Sequence, residues 1–515
     1  MPSMNALDAI HPTRPLGAIG AVLFCSALLS ACGSGGSDTP PGSPVGSVSN
    51  QYAQQCSPNN PYRQDSDAGT NPAPGTLTLE KQWAREYINE AYYWYAQVPS
   101  VDANASTYSR DTTAGLYPSL SAYFLALTTT PNDRFSLTYP TRAWKQLSQA
   151  GVSVSYGAEF AQVATTGGGA AYRIAFVEPG SPAATAGLRR GDTVAAIDGQ
   201  PVASLGADAI DAALLPSSAA THDFDFTRVG AGTISVRLTA AAIAMSPVPS
   251  TVILNTAGGR IGYLLFNDHT LTAEDALFGA VQGLAAQGID DLVIDLRYNR
   301  GGYVFISSQL AYMVAGASRT ASRVFERQQY SDKRVAESNS TASIMPFFNV
   351  KCEPDPAQGF GCTSSDILPT LTLSRVWVLA GPDTCSASEA FVNGLRGIDI
   401  NVTLVGGTTC GKPYAFTAKD NCGISYFPIE SKGVNAKGFG DYAAGFAATC
   451  AAADDFDHAL GDPAEGMLAA ALAHRAGGAC PVPSSAVSAT SRLAPRPERS
   501  LKIDLPLRGM PGISR

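Results

Sequence analysis

The chain is short of charge. Asp, Glu, Lys and Arg make up 15% of its 515 residues, against roughly 25% in an average soluble domain. Its net charge is −8, and no long run of Lys or Arg occurs. Nucleic-acid binding depends on clustered basic groups that neutralise phosphates, so that class of function is disfavoured. No C-x-x-C spacing occurs, and His222, His269, His458 and His474 are scattered. A structural zinc site is therefore not expected, and no metal or organic cofactor is implied. No segment reaches the ~18 consecutive apolar residues that a spanning helix needs, and the one N-terminal apolar run is too short for a comfortable span. A G-x-S-x-G elbow is also missing, which sets aside the hydrolases built around it.

What is present suits a large, turn-rich, exported chain. Hydrophobic residues make up 45%, with 50 Gly and 34 Pro. The length calls for two to four domains. Arg14 precedes an apolar run from Leu16 to Ala31 that ends Leu29-Ser30-Ala31-Cys32. The run has the length of a signal-peptide core. Its end resembles a bacterial lipobox, which implies lipidation of Cys32. Gly33, rather than Asp, follows the cysteine, which favours the outer membrane over the inner. Setting aside Cys25 and Cys32 leaves eight cysteines, an even set. In an exported chain these read as disulfides, with Cys352–Cys362 the first local pair expected.

Composition and periodicity divide the chain into a signal peptide (1–31), a Gly/Ser/Pro-rich tether (32–75), a small helical domain (76–146), a region of short strands (147–242), an α/β region (243–478) and a polar, Pro-rich tail (479–515) expected to be disordered. In the helical domain, Trp83, Tyr87, Ile88, Ala91, Tyr92 and Tyr95 recur at helical spacing, and a second helix is expected near Leu116–Leu127. In the third region, a strand (Tyr172–Val177), Pro179-Gly180-Ser181-Pro182, a short helix, Gly187-Leu188-Arg189-Arg190-Gly191-Asp192 and a second strand follow in order, with Asp198-Gly199 as a tight turn. That order closely resembles a PDZ domain. The resemblance implies capture of a chain's C-terminal segment as an added strand, with Gly151-Val152-Ser153-Val154 as the carboxylate loop. The same module used only as a spacer or gate is the alternative.

From Arg260, strands (RIGYLLF, DLVIDLR, SRVWVLA, VTLVGG, ISYFPI) alternate with helical stretches, as in a layered α/β domain. Three segments could carry chemistry. Ser386 opens a helix after a buried strand, where free N–H groups and the helix dipole favour an oxyanion. Ser386-x-x-Glu389 also reads as an ordinary capping box. Lys412, in Thr409-Cys410-Gly411-Lys412, lies 26 residues on. A buried amine loses its proton more readily and serves as a general base. An exposed loop lysine is the bland reading. In Asp295-Leu296-Arg297-Tyr298-Asn299-Arg300-Gly301-Gly302, glycines allow close backbone approach. Gly301 or Gly302, with Ala387, could then supply two oxyanion donors, or the turn merely starts a helix.

Taken together, the D-L-R-x-N-x-G-G turn, the S-A-S-E helix start and the G-K loop resemble, over about 76–475, the tail-specific, C-terminal processing serine peptidases, which carry a PDZ insert. The resemblance implies a multidomain α+β chain: a small N-terminal helical domain, a PDZ-like domain and a crotonase-like α/β catalytic domain. It makes Ser386 the nucleophile, Lys412 the base, and Ala387 with Gly301 or Gly302 the oxyanion hole; Ser388 is a fallback nucleophile. Partners would be protein or peptide substrates with free C-termini, and the membrane through Cys32. One departure is plain: where many members place a Gln four residues after the Lys, this chain has Phe416. Cys385 and Cys410 flank the two candidates, and a bridge between them would hold Ser386 and Lys412 together.

Overall fold

The computed structural model describes residues 47–65, 72–128, 132–165, 169–216, 218–355, 359–362, 364–480, 490–492 and 502–503. The expected signal peptide and Cys32 lie outside them. Among the described residues no helix is long and apolar enough to cross a membrane. Helices and several sheets alternate in a mixed α+β architecture.

The first helix, Leu77–Ala91, starts where Thr76 accepts a hydrogen bond from Leu79 N–H. It buries Trp83, Ala84, Tyr87, Ile88 and Ala91, the stripe that the helical spacing predicts. It stops earlier than that stripe, because Tyr92 adopts an extended conformation and Tyr95 begins a separate turn. Trp83 stacks on Tyr87 at 5.1 Å and meets Tyr426 at 4.8 Å between ring centroids. Tyr426 belongs to Ile424–Phe427, which pairs antiparallel with Leu137–Pro140. The helical region and the α/β region therefore share one apolar core. The same pairing places Ile424–Phe427, one of the strands expected in the α/β region, outside the main sheet.

That main sheet has six strands in the order Ser250–Thr256, Gly259–Leu265, Asp291–Asp295, Arg375–Ala380, Asn401–Gly406 and Cys450–Ala451. All neighbours run parallel except the first pair. Every residue of Asp291–Asp295 is buried, as expected of a parallel strand covered on both faces. Helices Val304–Ala315 and Ala387–Gly397 leave the C-terminal ends of their strands, where ligand sites form in such sheets.

Between these parts lies a second sheet with its own core of Phe160, Ile174, Val194, Ile210, Phe224 and Phe226. Its order is Gly232–Thr239, Thr221–Arg228, Thr193–Ile197, Ala170–Val177 and Ala158–Ala164. Asp198 and Gly199 both have positive φ, 49° and 77°, the geometry a two-residue hairpin turn needs. The residues expected as the carboxylate loop lie outside this sheet. Gly151, at φ 63°, ends the helix Thr141–Ala150, and Val152–Ser155 pairs with Ala241–Ala244. Residues 151–154 thus form the neck of the module. The edge beyond its five strands is Ala158–Ala164.

The cysteines pair as Cys56–Cys422, Cys352–Cys362, Cys385–Cys410 and Cys450–Cys480. Part of the expected tether is therefore body: Cys56 is bridged to Cys422, buried Glu80 accepts from Ser57 N–H and Asn60 Nδ2, and Glu90 accepts from Ser47 and Ser49. Polar composition concealed this, because the contacts are hydrogen bonds and a disulfide. In the tail, Thr490–Arg492 and Lys502–Ile503 are strands, contrary to the expectation of disorder throughout.

Peptide mapping of the unreduced protein should recover these four bridges. The pair Cys56→Ala/Cys422→Ala should lose roughly 2–5 kcal/mol, because it frees a loop closed across most of the chain. A denaturant midpoint unchanged by that pair would contradict the role given to the bridge.

Candidate active site

The strand Arg375–Ala380 delivers the chain to Gly381, and Thr384 then ties a tight turn. Its Oγ1 accepts from Gly381 N–H at 2.9 Å and donates to Leu296 O at 2.8 Å. Ser386 follows as N-cap of Ala387–Gly397, with φ 61° and ψ −115°. A non-glycine residue at positive φ is strained. Ser386 is fully buried; with Glu389 it forms a capping box, yet its Oγ makes no hydrogen bond of regular geometry among the described residues. Leaving a buried hydroxyl unsatisfied costs about 1–3 kcal/mol, and natural proteins keep few such groups. Ser388 differs: its Oγ donates to Asn299 O at 3.0 Å.

Three residues into the helix, Glu389 is fully buried. Its Oε2 accepts from Ser386 N–H at 3.0 Å and from Lys412 N–H at 2.8 Å. Its Oε1 accepts from Gly411 N–H at 2.8 Å and from Thr409 Oγ1 at 2.6 Å. One carboxylate thus gathers the helix start and the Gly411-Lys412 loop. Beside it, Cys385–Cys410 joins the same two segments covalently. Burial pushes the Glu389 carboxyl above its usual range, opposed by the bonds from Thr409, Lys412, Gly411 and Ser386. Lys412 is also fully buried. Its Nζ lies 4.0 Å from the centroid of the Phe416 ring and 5.3 Å from that of Phe135. Arg134 donates to Cys410 O on the same loop.

The glycine turn closes the third side. A Cβ on Gly301 would stand 2.7 Å from Ser386 Cβ and 2.8 Å from Ala387 N, and one on Gly302 would stand 2.6 Å from His269 O. Only glycines allow this approach. Gly301 N–H donates to Asn299 Oδ1 at 2.9 Å, so of the two expected glycine donors Gly301 is already engaged. Asn299 is itself fixed. Its Nδ2 donates to Phe266 O at 2.9 Å, and His269 Nδ1 lies 2.9 Å from its Oδ1. His269 is fully buried; Ser307 Oγ is 2.9 Å from its Nε2 and 2.5 Å from Ala387 O. Burial lowers the imidazole pKa from 6.5 to about 3, so the ring is neutral and props the turn.

Upstream, the turn is anchored by buried charge. Arg297 pairs with Asp295, Asp454 and Glu465. Arg190, from the strand-rich module, donates to Tyr298 Oη at 2.7 Å and to Asp454. Burial opposes ionisation of Asp454, yet Arg190 and Arg297 hold its carboxyl below the usual range. The structure therefore brings Ser386, Ala387, Gly301, Gly302 and Lys412 to one place, while Gly151 to Val154 lie in the neck of the module.

Sequence reasoning passed over four contributors. Glu389 was visible only as a capping partner and Asn299 only as a turn residue. For His269 and Phe135 the local sequence gave no signal.

Residues 260–419 match the model of peptidase family S41, residues 173–220 that of the PDZ domain, and residues 80–137 that of the peptidase S41 N-terminal domain. The chain therefore carries a region similar to peptidase family S41 together with both accessory domains. It is similar to a carboxyl-terminal-processing protease of Picosynechococcus sp. (strain ATCC 27264 / PCC 7002 / PR-6), with 29% identity over 134 residues, 26% of this chain and 32% of that one. A second such protease, from Synechocystis sp. (strain ATCC 27184 / PCC 6803 / Kazusa), is 32% identical over 126 residues, 24% of this chain and 29% of the relative. The matched stretches thus span about a third of each curated relative. A crystal structure assigned to the S41 proteases, from Bacteroides fragilis NCTC 9343, shares the fold at a TM-score of 0.57 and 24% identity, covering 77% of this chain and 97% of that one.

Two stability outcomes follow from the geometry. Glu389→Gln offers one carbonyl to four donors and should lose about 3 kcal/mol in denaturant titration; an unchanged midpoint would remove Glu389 from its organising role. For His269 the folded value near 3 lies below the unfolded 6.5, so the unfolded chain binds the extra proton. The contribution is present above about pH 6.5 and is lost as pH falls towards 3, by at most roughly 4–5 kcal/mol. His269→Gln should flatten the pH dependence of stability in that window. A slope equal to that of the parent chain would reject the assignment.

Proposed function

We propose that the chain is a serine endopeptidase that cleaves unstructured C-terminal regions of extracytoplasmic proteins through an acyl-enzyme, with Ser386 as nucleophile and Lys412 as base. One observation carries this reading. A buried hydroxyl with no hydrogen bond of regular geometry stands at a strained helix start whose backbone shares the Glu389 Oε2 atom with the backbone of a buried lysine. Strain and lost hydrogen bonding at one serine are costs that a fold keeps where chemistry needs them.

In the proposed reaction Ser386 Oγ attacks the scissile carbonyl carbon while the neutral Lys412 amine takes the hydroxyl proton. The carbonyl oxygen becomes an oxyanion facing the N–H groups of Ala387 and Gly302, at the positive end of the helix Ala387–Gly397. Collapse breaks the C–N bond, and Lys412 returns its proton to the leaving amine. Water, deprotonated by Lys412, then attacks the ester carbonyl; the C–Oγ bond breaks, Lys412 returns the proton to Ser386 Oγ, and the new carboxylic acid leaves. A buried amine favours its neutral form. Phe416, in place of the Gln of many relatives, sets a ring face against Nζ and with Phe135 keeps water from it. The backbone of the lysine loop is held instead by Glu389. The PDZ domain would take the substrate's C-terminal segment as an added strand. The leader resemblance supports export and lipid anchoring at Cys32, favouring the outer membrane, with the body in the periplasm or at the cell surface.

Ser386→Ala and Lys412→Ala should each lower cleavage of a disordered polypeptide by more than about 10³-fold, with thermal midpoints close to that of the parent. Unchanged turnover in either variant contradicts the pair. No turnover by the parent chain, together with retained peptide binding, would favour an inactive PDZ-bearing lipoprotein, the alternative that Phe416 invites.

A further inference from the structure

Two stretches of the chain's own C-terminal segment lie on sheet edges that matter to the proposed reaction. Thr490–Arg492 pairs antiparallel with Ala158–Ala164, in the register Thr490↔Val163, Ser491↔Gln162 and Arg492↔Ala161. It thereby covers the outer edge of the PDZ sheet. Lys502–Ile503 pairs parallel with Gly302–Tyr303 and lies next to Tyr414–Ala415, two residues past Lys412. The second stretch thus enters between the glycine turn and the lysine loop, and Ser386 and Lys412 are fully buried in the structure that carries it. Nine residues separate the stretches, enough to reach about 30 Å when extended.

We infer that Thr490–Arg492 and Lys502–Ile503 act as an intramolecular ligand of the peptide track, competing with substrate at the PDZ edge and the Ser386 site respectively. The inference rests on the peptidase reading for what the ligand displaces. Backbone ladders are the means by which extended peptides add to sheet edges. The direction of the chain marks the segment as competitor rather than substrate. A polypeptide with its C-terminus on Ala158–Ala164 presents residues upstream of that strand to Ser386, whereas this segment presents residues downstream of it. Charge favours docking as well. From Ser491 to Arg515 there are six basic side chains and two acidic ones, in a chain of net charge −8. This attraction weakens as salt screens it.

Tethering makes a weak strand effective. A short tether gives an effective concentration of the order of millimolar, so a ladder with only millimolar affinity is occupied about half the time. Occupancy between half and nine-tenths raises the apparent KM by about 2–10-fold, because only the open fraction binds substrate.

The test uses the full chain with Ser491→Pro/Arg492→Pro or Lys502→Pro/Ile503→Pro. Adjacent prolines remove a ladder donor whichever residue faces the edge. Each pair should lower KM for a disordered polypeptide by about 2–10-fold with kcat unchanged. Amide exchange should quicken at Ala158–Ala164 in the first variant and at Gly302–Tyr303 in the second. A synthetic peptide of residues 486–508 should restore the parent KM, less effectively at high salt. A chain ending after Cys480, which keeps Cys450–Cys480, should behave like both variants and guards against a local effect of proline. Unchanged KM and unchanged exchange overturn the inference and leave the peptidase reading standing. Faster exchange with no cleavage by any form upholds the docking and overturns the peptidase reading.

Discussion

The arrangement depends on one buried carboxylate. Glu389 receives four donors, two on each oxygen, from Ser386, Lys412, Gly411 and Thr409. Without them a buried carboxylate would be several kcal/mol too costly to keep ionised. With them it becomes the point to which a helix start and a returning loop are both referred. Hydrogen bonds to a charged group contribute about 1.5–3 kcal/mol each, of the same order as the burial penalty they oppose. The Cys385–Cys410 bridge connects the same two segments. Ser386 can sit at positive φ with a hydroxyl that makes no regular hydrogen bond because its backbone is held on both sides by interactions that do not involve that hydroxyl.

A second network does for the glycine turn what Glu389 does for the helix start. Neutral His269 holds Asn299, and Asn299 holds Gly301 and, through its carbonyl, Cys385 and Ser388. Farther out, Arg297 and Arg190 share Asp454. A buried ion cluster is a weak source of net stability, because desolvation offsets most of the attraction. Its evident consequence here is geometric. Arg190, on the PDZ domain, contacts Tyr298, the residue just before Asn299. The PDZ domain is therefore in direct contact with the segment that leads into the glycine turn.

Much of this was legible in the chain itself. Period-3.6 spacing marks Leu77–Ala91, and unbroken apolar runs mark Asp291–Asp295 and Arg375–Ala380. The glycine turn, helix start and lysine loop were recognisable as motifs because each places a required residue type beside an element boundary. What could not be read were relations between distant segments. Nothing near Gly151 reveals that Val152–Ser155 pairs with Ala241–Ala244. Nothing near Cys56 reveals a partner 366 residues away. The polar stretches on either side of the body had too little apolar content to suggest order. Their described parts are held by backbone ladders, hydrogen bonds and a disulfide, none of which leaves a hydrophobic pattern.

In the proposed reaction Ser386 Oγ carries the acyl group, and Lys412 makes it nucleophilic. Acid quenching during turnover of a disordered polypeptide, followed by peptide mapping, reads this directly. An acyl adduct is expected on Ser386 in the parent chain, and none when Lys412→Met removes the amine. An adduct on Ser388, or an undiminished adduct on Ser386 without the lysine, would contradict it.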